Sequence, residues 1–286
     1  MRKVVDSTEG LLDALAALFP DSSRTTLRQM LRSGRVRVNG EVDGNARRRL
    51  RKGDVLDVGK KVTHPFLPPE LAILYEDEWI IVILKPAGLL TVATENEREQ
   101  TVQFFLNQYL KLSGKGDRIH VVHRLDRDTS GVLVFVKDFE TRELFKALFS
   151  EHAIDREYVA VIEGTMPEKE GTLRSHLRED PDTFHVRSVR NEARGKLAVT
   201  KYRTVASGAR YSIVEVRLET GRKNQIRVQF SEAGHPVVGD ERYGAATDPI
   251  ARLGLHAQLL GFVHPRTGKK LSFTAPLPDA FRNLEL

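Results

Sequence analysis

The densest group of chemically able side chains in this 286-residue sequence is HRLDRDTSG, residues 123–131, set between two apolar, strand-like runs. Asp126 lies between Arg124 and Arg127. Guanidinium groups close to a carboxylate favour its charged form. A carboxylate ionised at neutral pH serves as a nucleophile or a base, not as a general acid. Thr129 and Ser130 add hydroxyls, and Gly131 permits a tight turn into VLVFV. The plain alternative for the same residues is an Asx-type turn with surface ion pairs. His120, His123 and Asp126 recur every three residues, a spacing that invites a metal, but the other histidines are scattered and complete no shell. No metal is expected, and His123 is read as structural.

A second polar stretch, ETGRKNQIRVQFSEAGHPVVGDERYG (219–244), also joins a strand to an amphipathic segment and carries Arg222, Lys223, Gln225 and Arg227. Taken alone it is a basic surface loop. Other chemistries lack their motifs. There is no G-x-x-x-x-G-K-[ST], no G-x-G-x-x-G and no G-x-S-x-G. The HRLD string resembles a kinase catalytic loop in letters only, because the glycine loop and D-F-G are missing. With no cysteine, thiolate chemistry and disulfides are excluded.

The elements that must hold these stretches are mostly strands. EWIIVILKP, VLVFV, REYVAVIEG, LAVTKYRTVA and RYSIVEVRLET are β-like, and helical patterns occupy about Thr101–Leu112 and Phe139–Glu151. Strands outnumber helices without alternating with them, which predicts an α+β domain with a large mixed, mainly antiparallel sheet.

The first sixty residues differ in charge. They hold 13 Lys and Arg against 8 Asp and Glu, while the remainder holds 32 against 31. Such asymmetry points to a polyanion, nucleic acid first. A helix is predicted over Glu9–Phe19, with Leu11, Leu12, Leu15 and Leu18 on one side and Pro20 ending it. A second, capped by Ser22 or Ser23, covers about Arg24–Arg32 before Gly34, with Leu27, Met30 and Leu31 as its apolar face. Arg24, Arg28 and Arg32 recur at i, i+4 and i+8; like charges so placed cost about 0.2–0.5 kcal/mol per pair, a cost that a row of phosphates would offset. Val36 and Val38 alternate with Arg35 and Arg37 ahead of an Asn39–Gly40 hairpin turn. The Pro-rich KKVTHPFLPPE then reads as a linker, dividing the chain into domains 1–62 and 71–286. The N-terminus lacks the pattern of a signal peptide, and no apolar run is long enough to span a membrane, so a cytoplasmic monomer is expected.

Two families now come into view. SRTTLRQMLRSGRVRVNG followed by LRKGDVLDV resembles the S-four-like RNA-binding domain over about residues 10–60. That resemblance implies that Arg24, Arg28, Arg32, Arg35 and Arg37 lie on structured RNA. Residues 70–280 resemble the pseudouridine synthases of the large-subunit ribosomal RNA type, the RluA family. LKPAGLLT looks like the first motif, HRLDRDTSGVLVF the highly specific second, REYVAVIEG the segment with the active-site tyrosine, and GRKNQIRVQF the third. The resemblance implies Asp126 as the catalytic aspartate, Arg227 as its partner and Tyr158 against the uracil. It implies Arg124 entering the RNA where the target base has left, Arg222 on the RNA, and Lys85, Pro86, Thr129 and Ile226 around the pocket. It implies no cofactor and an RNA partner, ribosomal RNA first and transfer RNA second. The third motif often has His where this chain has Asn224 and Gln229, and both are expected to be peripheral. The competing function is a non-catalytic RNA-binding ribosome-assembly factor. A third is an RNA N-glycosidase, but enzymes that cleave glycosidic bonds normally use two carboxylates, and the nearest second one, Asp128, reads as a turn residue.

Overall fold

The computed structural model describes residues 1–32, 35–59, 67–68, 70–116 and 118–286, with Gln29, Arg32 and Val42 described by backbone alone. The expected helix stop at Gly34 and most of the expected linker lie outside the described residues.

The first sixty residues contain β1 (Arg2–Val4), β2 (Glu9–Gly10), α1 (Leu11–Leu18), α2 (Arg24–Arg32), β3 (Val36–Val38), β4 (Glu41–Val42), β5 (Arg49–Leu50) and β6 (Val55–Val58). Glu9 and Gly10, expected to open the first helix, pair instead with Leu50 and Arg49. Gly10 has extended backbone, so the helix starts at Leu11, two residues later than expected. Ser23 caps α2, its Oγ accepting the Thr26 N–H at 3.1 Å. Asn39 and Gly40 both adopt positive φ, the geometry of a type I′ hairpin turn. The strands order as β1-β6-β3-β4. Leu11, Leu15, Leu27, Val36, Leu50 and Leu56 are fully buried in a core made only of residues 5–58. Each such side chain contributes about 1.5–3 kcal/mol by leaving water.

The larger part contains β7 (Ala72–Glu76), β8 (Ile80–Lys85), α3 (Val102–Ser113), β9 (His120–Val121), β10 (Ser130–Val136), α4 (Phe139–Ser150), β11 (Asp155–Glu163), β12 (Glu170–Glu179), β13 (Val186–Ser188), β14 (Lys196–Ser207), β15 (Tyr211–Leu218), α5 (Gln225–Glu232), β16 (Leu255–Val263), β17 (Lys270–Thr274) and α6 (Asp279–Arg282). Eleven strands form one sheet whose main path is β13-β12-β14-β15-β11-β16-β10-β8-β7. β10 is buried along its whole length. Leu133 and Phe135 enter one core with α3 and α5, while Val132, Val134 and Val136 enter another with Phe145 of α4. A strand covered on both faces must be continuously apolar, which VLVFV is.

One junction positions the chemistry. β10 and β16 run parallel and touch only at Ser130↔His256 and Gly131↔Ala257. Beyond that point they part, β9 adding to β10 and β17 to β16. Gly131 sits at the contact with φ +127°, and a Cβ there would lie 2.1 Å from the Ala257 carbonyl oxygen. Only glycine fits both the backbone angle and the approach. The HRLDRDT loop therefore enters β10 at the fork of the sheet.

Candidate active site

The loop on either side of Asp126 is pinned from below. Thr91 Oγ1 donates to the Leu125 carbonyl at 2.7 Å and accepts the Leu125 N–H at 3.3 Å. Lys85, fully buried, donates to the carbonyls of Arg127 (2.7 Å), Pro86 (2.8 Å) and Leu89 (2.6 Å). These bonds use all three hydrogens of an ammonium group. Burial pushes Lys85 down to about 7, against the pull of the Asp128 and Asp126 charges. Lys85 and Pro86 thus form the underside of the loop. The Thr129 N–H reaches the Asp126 carbonyl at 3.3 Å, and Thr129 Oγ1 is buried without a hydrogen-bond partner.

Asp126 itself is partly exposed. Arg227 of α5 reaches it across 101 residues of sequence, Nη1 to Oδ2 at 3.2 Å. Arg227 is held more tightly by Asp240, whose two oxygens receive Nε at 2.6 Å and Nη2 at 2.7 Å. The guanidinium also lies 4.9 Å from the Tyr243 ring centre. These carboxylates raise Arg227 above the ordinary guanidinium range, overcoming the effect of burial.

Asn224 corrects the expectation of a peripheral residue. Its Nδ2 donates to Asp126 Oδ2 at 2.6 Å, and its Oδ1 faces the Tyr243 hydroxyl at 3.3 Å. The reason is backbone geometry: Asn224 precedes α5 in the left-handed region, φ 52°, which turns its amide toward Asp126. Gln225 ties the same loop down, its Oε1 accepting from Thr220 Oγ1 and the Arg222 N–H, its Nε2 donating to Thr200 Oγ1 and the Val199 carbonyl. Gln229 behaves as expected, buried and bonded to Leu173, Ser175 and Ala198.

Both donors converge on Oδ2. Among the described residues none is directed at Asp126 Oδ1, so one carboxylate oxygen is fixed and the other is open. Tyr158 lies nearby on β11, buried in the same core cluster as Leu125 and Ile226. Burial raises its phenol; the Arg156 charge pulls the other way and the Asp126 charge adds to the rise. The hydroxyl is therefore neutral, a flat apolar wall with one polar end.

The other expected residues fall in place as follows. Arg124 is exposed at the loop rim. Arg222 is exposed, with Nε on the Leu197 carbonyl at 2.9 Å. His123 Nε2 accepts the Val134 N–H at 3.2 Å, and burial holds it down to about 3, so it is a neutral strut. Asp128 occupies an exposed turn. Arg24 pairs with Asp13 at 3.4 Å and so is not a bare cation. Arg28 and Arg35 are half-buried, Arg35 with Nε on the Gly59 carbonyl, and Arg37 is exposed. The Arg32 side chain lies outside the described residues.

Asp240, Tyr243 and Asn224 were not read as part of the site. Asp240 follows Arg227 by 13 residues in a stretch without periodicity, where nothing in the letters aims it back.

Comparison with known proteins agrees in extent and architecture. Residues 79–232 match the family model described as RNA pseudouridylate synthase, and residues 9–56 match the S4 domain. The "Uncharacterized RNA pseudouridine synthase YhcT" of Bacillus subtilis is 35% identical over 82% of this chain and 79% of its own. The "Ribosomal large subunit pseudouridine synthase D" of Zymomonas mobilis is 34% identical over 93% of this chain and 89% of its own. Among solved structures, "Human RNA Pseudouridylate Synthase Domain Containing 4" superposes with a TM-score of 0.62 at 24% identity, over 73% of this chain and 90% of its own, and so shares the fold.

Proposed function

The chain belongs to the RNA pseudouridylate synthase family, with an S4 domain ahead of the synthase region, and from that premise we propose that it isomerises uridines of structured ribosomal RNA to pseudouridine through a single carboxylate, Asp126. The observation that carries the mechanism is the asymmetry of that carboxylate: Oδ2 is held by Asn224 and Arg227, and Oδ1 is open. Ribosomal RNA is favoured over transfer RNA by relatives such as the large-subunit pseudouridine synthase D of Zymomonas mobilis.

The reaction breaks the bond between uracil N1 and ribose C1′, turns the base and joins C5 to C1′. The C5 proton is lost and N1 gains one, so no net redox change occurs. A paired or stacked uridine must first leave its helix, at a cost of a few kcal/mol. Arg124 at the loop rim occupies the space the base vacates. The uracil stacks against Tyr158, whose neutral phenol does not repel Asp126. Asp126 Oδ1 then acts at the sugar, either attacking C1′ or removing the neighbouring ribose hydrogen; both routes need an ionised oxygen free of other donors. Arg227 and Asn224 keep the charge in place without occupying that oxygen.

Tritium release from RNA labelled at uridine C5 tests the reading. Asp126→Asn should abolish release while RNA affinity stays within about tenfold, because the amide keeps the shape and loses the charge. Wild-type release from the variant would remove Asp126 from the chemistry. Carbodiimide-primer extension on RNA from a deletion strain would identify the target positions.

A further inference from the structure

Among the described residues, the deeply set arginines of the synthase region have partners, with one exception. Arg227 has Asp126 and Asp240; Arg252 has Ser130 Oγ and the Leu253 and Leu255 carbonyls; Arg266 has Asp138 and Glu140. Arg156 of β11 has none. Its Nε is fully buried without a hydrogen-bond partner, and among the described residues it makes no hydrogen bond and no ion pair. The Phe149 ring lies 5.5 Å from the guanidinium carbon, and Tyr158 and His123 are near enough to feel its charge. A cation taken from water without a counter-charge is costly, and burial here pushes Arg156 below the usual guanidinium range.

The position explains the vacancy of charge. Arg156 stands two residues before Tyr158, so the two side chains share a face of the strand, about 6.7 Å apart along it. His123 of the catalytic loop also packs on Phe149, ring centres 5.0 Å apart. Gly221, which begins GRKN, lies against the guanidinium: a Cβ there would come within 2.4 Å of Arg156 Nη1, so only glycine leaves the group room. Nε is thus sealed while Arg156 as a whole is only half-buried, beside the GRKN stretch that leads into Asn224 and Arg227.

We propose that Arg156 is a substrate-binding residue that receives a phosphodiester of the RNA backbone next to the target uridine. The inference rests on the uridine-isomerising reading above. A planar, permanently charged fork suits phosphate oxygens, and the backbone of a nucleotide whose base faces Tyr158 must pass one step away from that ring. The bound phosphate supplies the counter-charge that the protein withholds, so part of the cost of burying Arg156 is returned only when RNA is seated. Gly221 is the residue that leaves the guanidinium room beside GRKN.

The full-length protein and an RNA fragment spanning a mapped target position test this, by filter binding across salt concentrations and by single-turnover tritium release. Arg156→Gln should raise the half-saturating RNA concentration about tenfold and lower the slope of log affinity against log salt by about 0.7–0.9, one phosphate contact. The change should fall chiefly on half-saturation rather than on the maximal rate, and Arg156→Lys should recover part of it. A neutral methylphosphonate at the phosphate adjoining the target, on one of its two sides, should weaken wild-type binding by the same factor and Arg156→Gln no further. An unchanged salt slope, with equal methylphosphonate penalties in both proteins, would make Arg156 a packing element on Phe149 and overturn the proposal. Wild-type protein that binds RNA with the expected slope but releases no tritium would instead overturn the isomerase reading, leaving the phosphate contact standing.

Discussion

Three side chains decide what Asp126 can do, and two of them were illegible in the sequence. Arg227 could be placed from the third motif, but motif letters carry no side-chain direction. Asn224 takes part because a left-handed backbone angle turns it, and Asp240 because a loop folds back onto α5. Asn224→Asp should therefore be far more damaging than its size suggests. It keeps a residue type that tolerates φ 52°, yet sets a second carboxylate where a donor stood 2.6 Å from Asp126. Tritium release at pH 7 is expected to fall about 100-fold, from loss of a bond to a charged group plus like-charge repulsion. Near-normal release would show that Asn224 does not hold Asp126. Asp240 acts on stability. It is 1% exposed and Arg227 14%, so Asp240→Asn removes the main counter-charge of a buried guanidinium. About 3 kcal/mol should be lost in urea denaturation, less than for a cation left with no partner because Asp126 remains.

At the scale of elements, the strands with strong β-branched or aromatic runs were all legible, as were α2, α3 and α4 to within a residue or so. Strands β1, β2, β7, β12, β13, β16 and β17 were not anticipated. β12, near one edge of the sheet, exposes charged residues along EGTLRSHLRE, so the outer half of its alternation carries no strand signal. β16 is central, yet His256 and Gln258 interrupt its apolar run. His256 is tolerated inside because it is neutral and bonded. Arg252 Nη2 donates to Ser130 Oγ at 2.9 Å, leaving the Ser130 hydroxyl free to donate to His256 Nδ1 at 2.7 Å. Burial first, then the Arg252 charge, holds this histidine down to about 3. An unfolded histidine protonates near 6.5, so below that pH the unfolded chain binds a proton that the folded one refuses. Stability from this group is present above about pH 6.5 and is lost as pH falls toward 3. Between pH 6.5 and 5 the loss should be about 1.6 kcal/mol. Chemical denaturation of His256→Asn over that interval should show a shallower decline than wild type, by about 1.1 kcal/mol per pH unit on average. Parallel curves would mean that His256 titrates alike in both states. His123, also held near 3, should add a similar decline of its own.

At the scale of the whole molecule the charge asymmetry was the clearest signal in the sequence, and the structure gives it a physical basis in two separate cores. The apolar residues packed in the first sixty positions share no cluster with those beyond residue 67. Among the described residues no helix is long and apolar enough to cross a membrane. Removal of residues 1–62 should accordingly leave the synthase region folded, with Asp126, Asn224, Arg227 and Tyr158 undisturbed, and remove most of the basic surplus. If Arg24, Arg28, Arg35 and Arg37 each meet a phosphate, the slope of log affinity against log salt should fall by about 3. The Arg24–Asp13 pair does not prevent this: both partners are largely exposed, such pairs are worth about 0–1 kcal/mol, and a phosphate can replace the carboxylate. Affinity at physiological salt should drop steeply, while single-turnover release at saturating RNA should largely survive. A truncated protein with an undiminished salt slope would place the RNA anchor in the synthase region, around Arg124, Arg222 and Arg156, and would leave the arginines of the first domain as a solvated surface. A truncated protein with a weaker slope but no turnover at any RNA concentration would assign the first domain a second task, that of presenting the uridine to Asp126 in a reactive pose rather than only holding the RNA nearby.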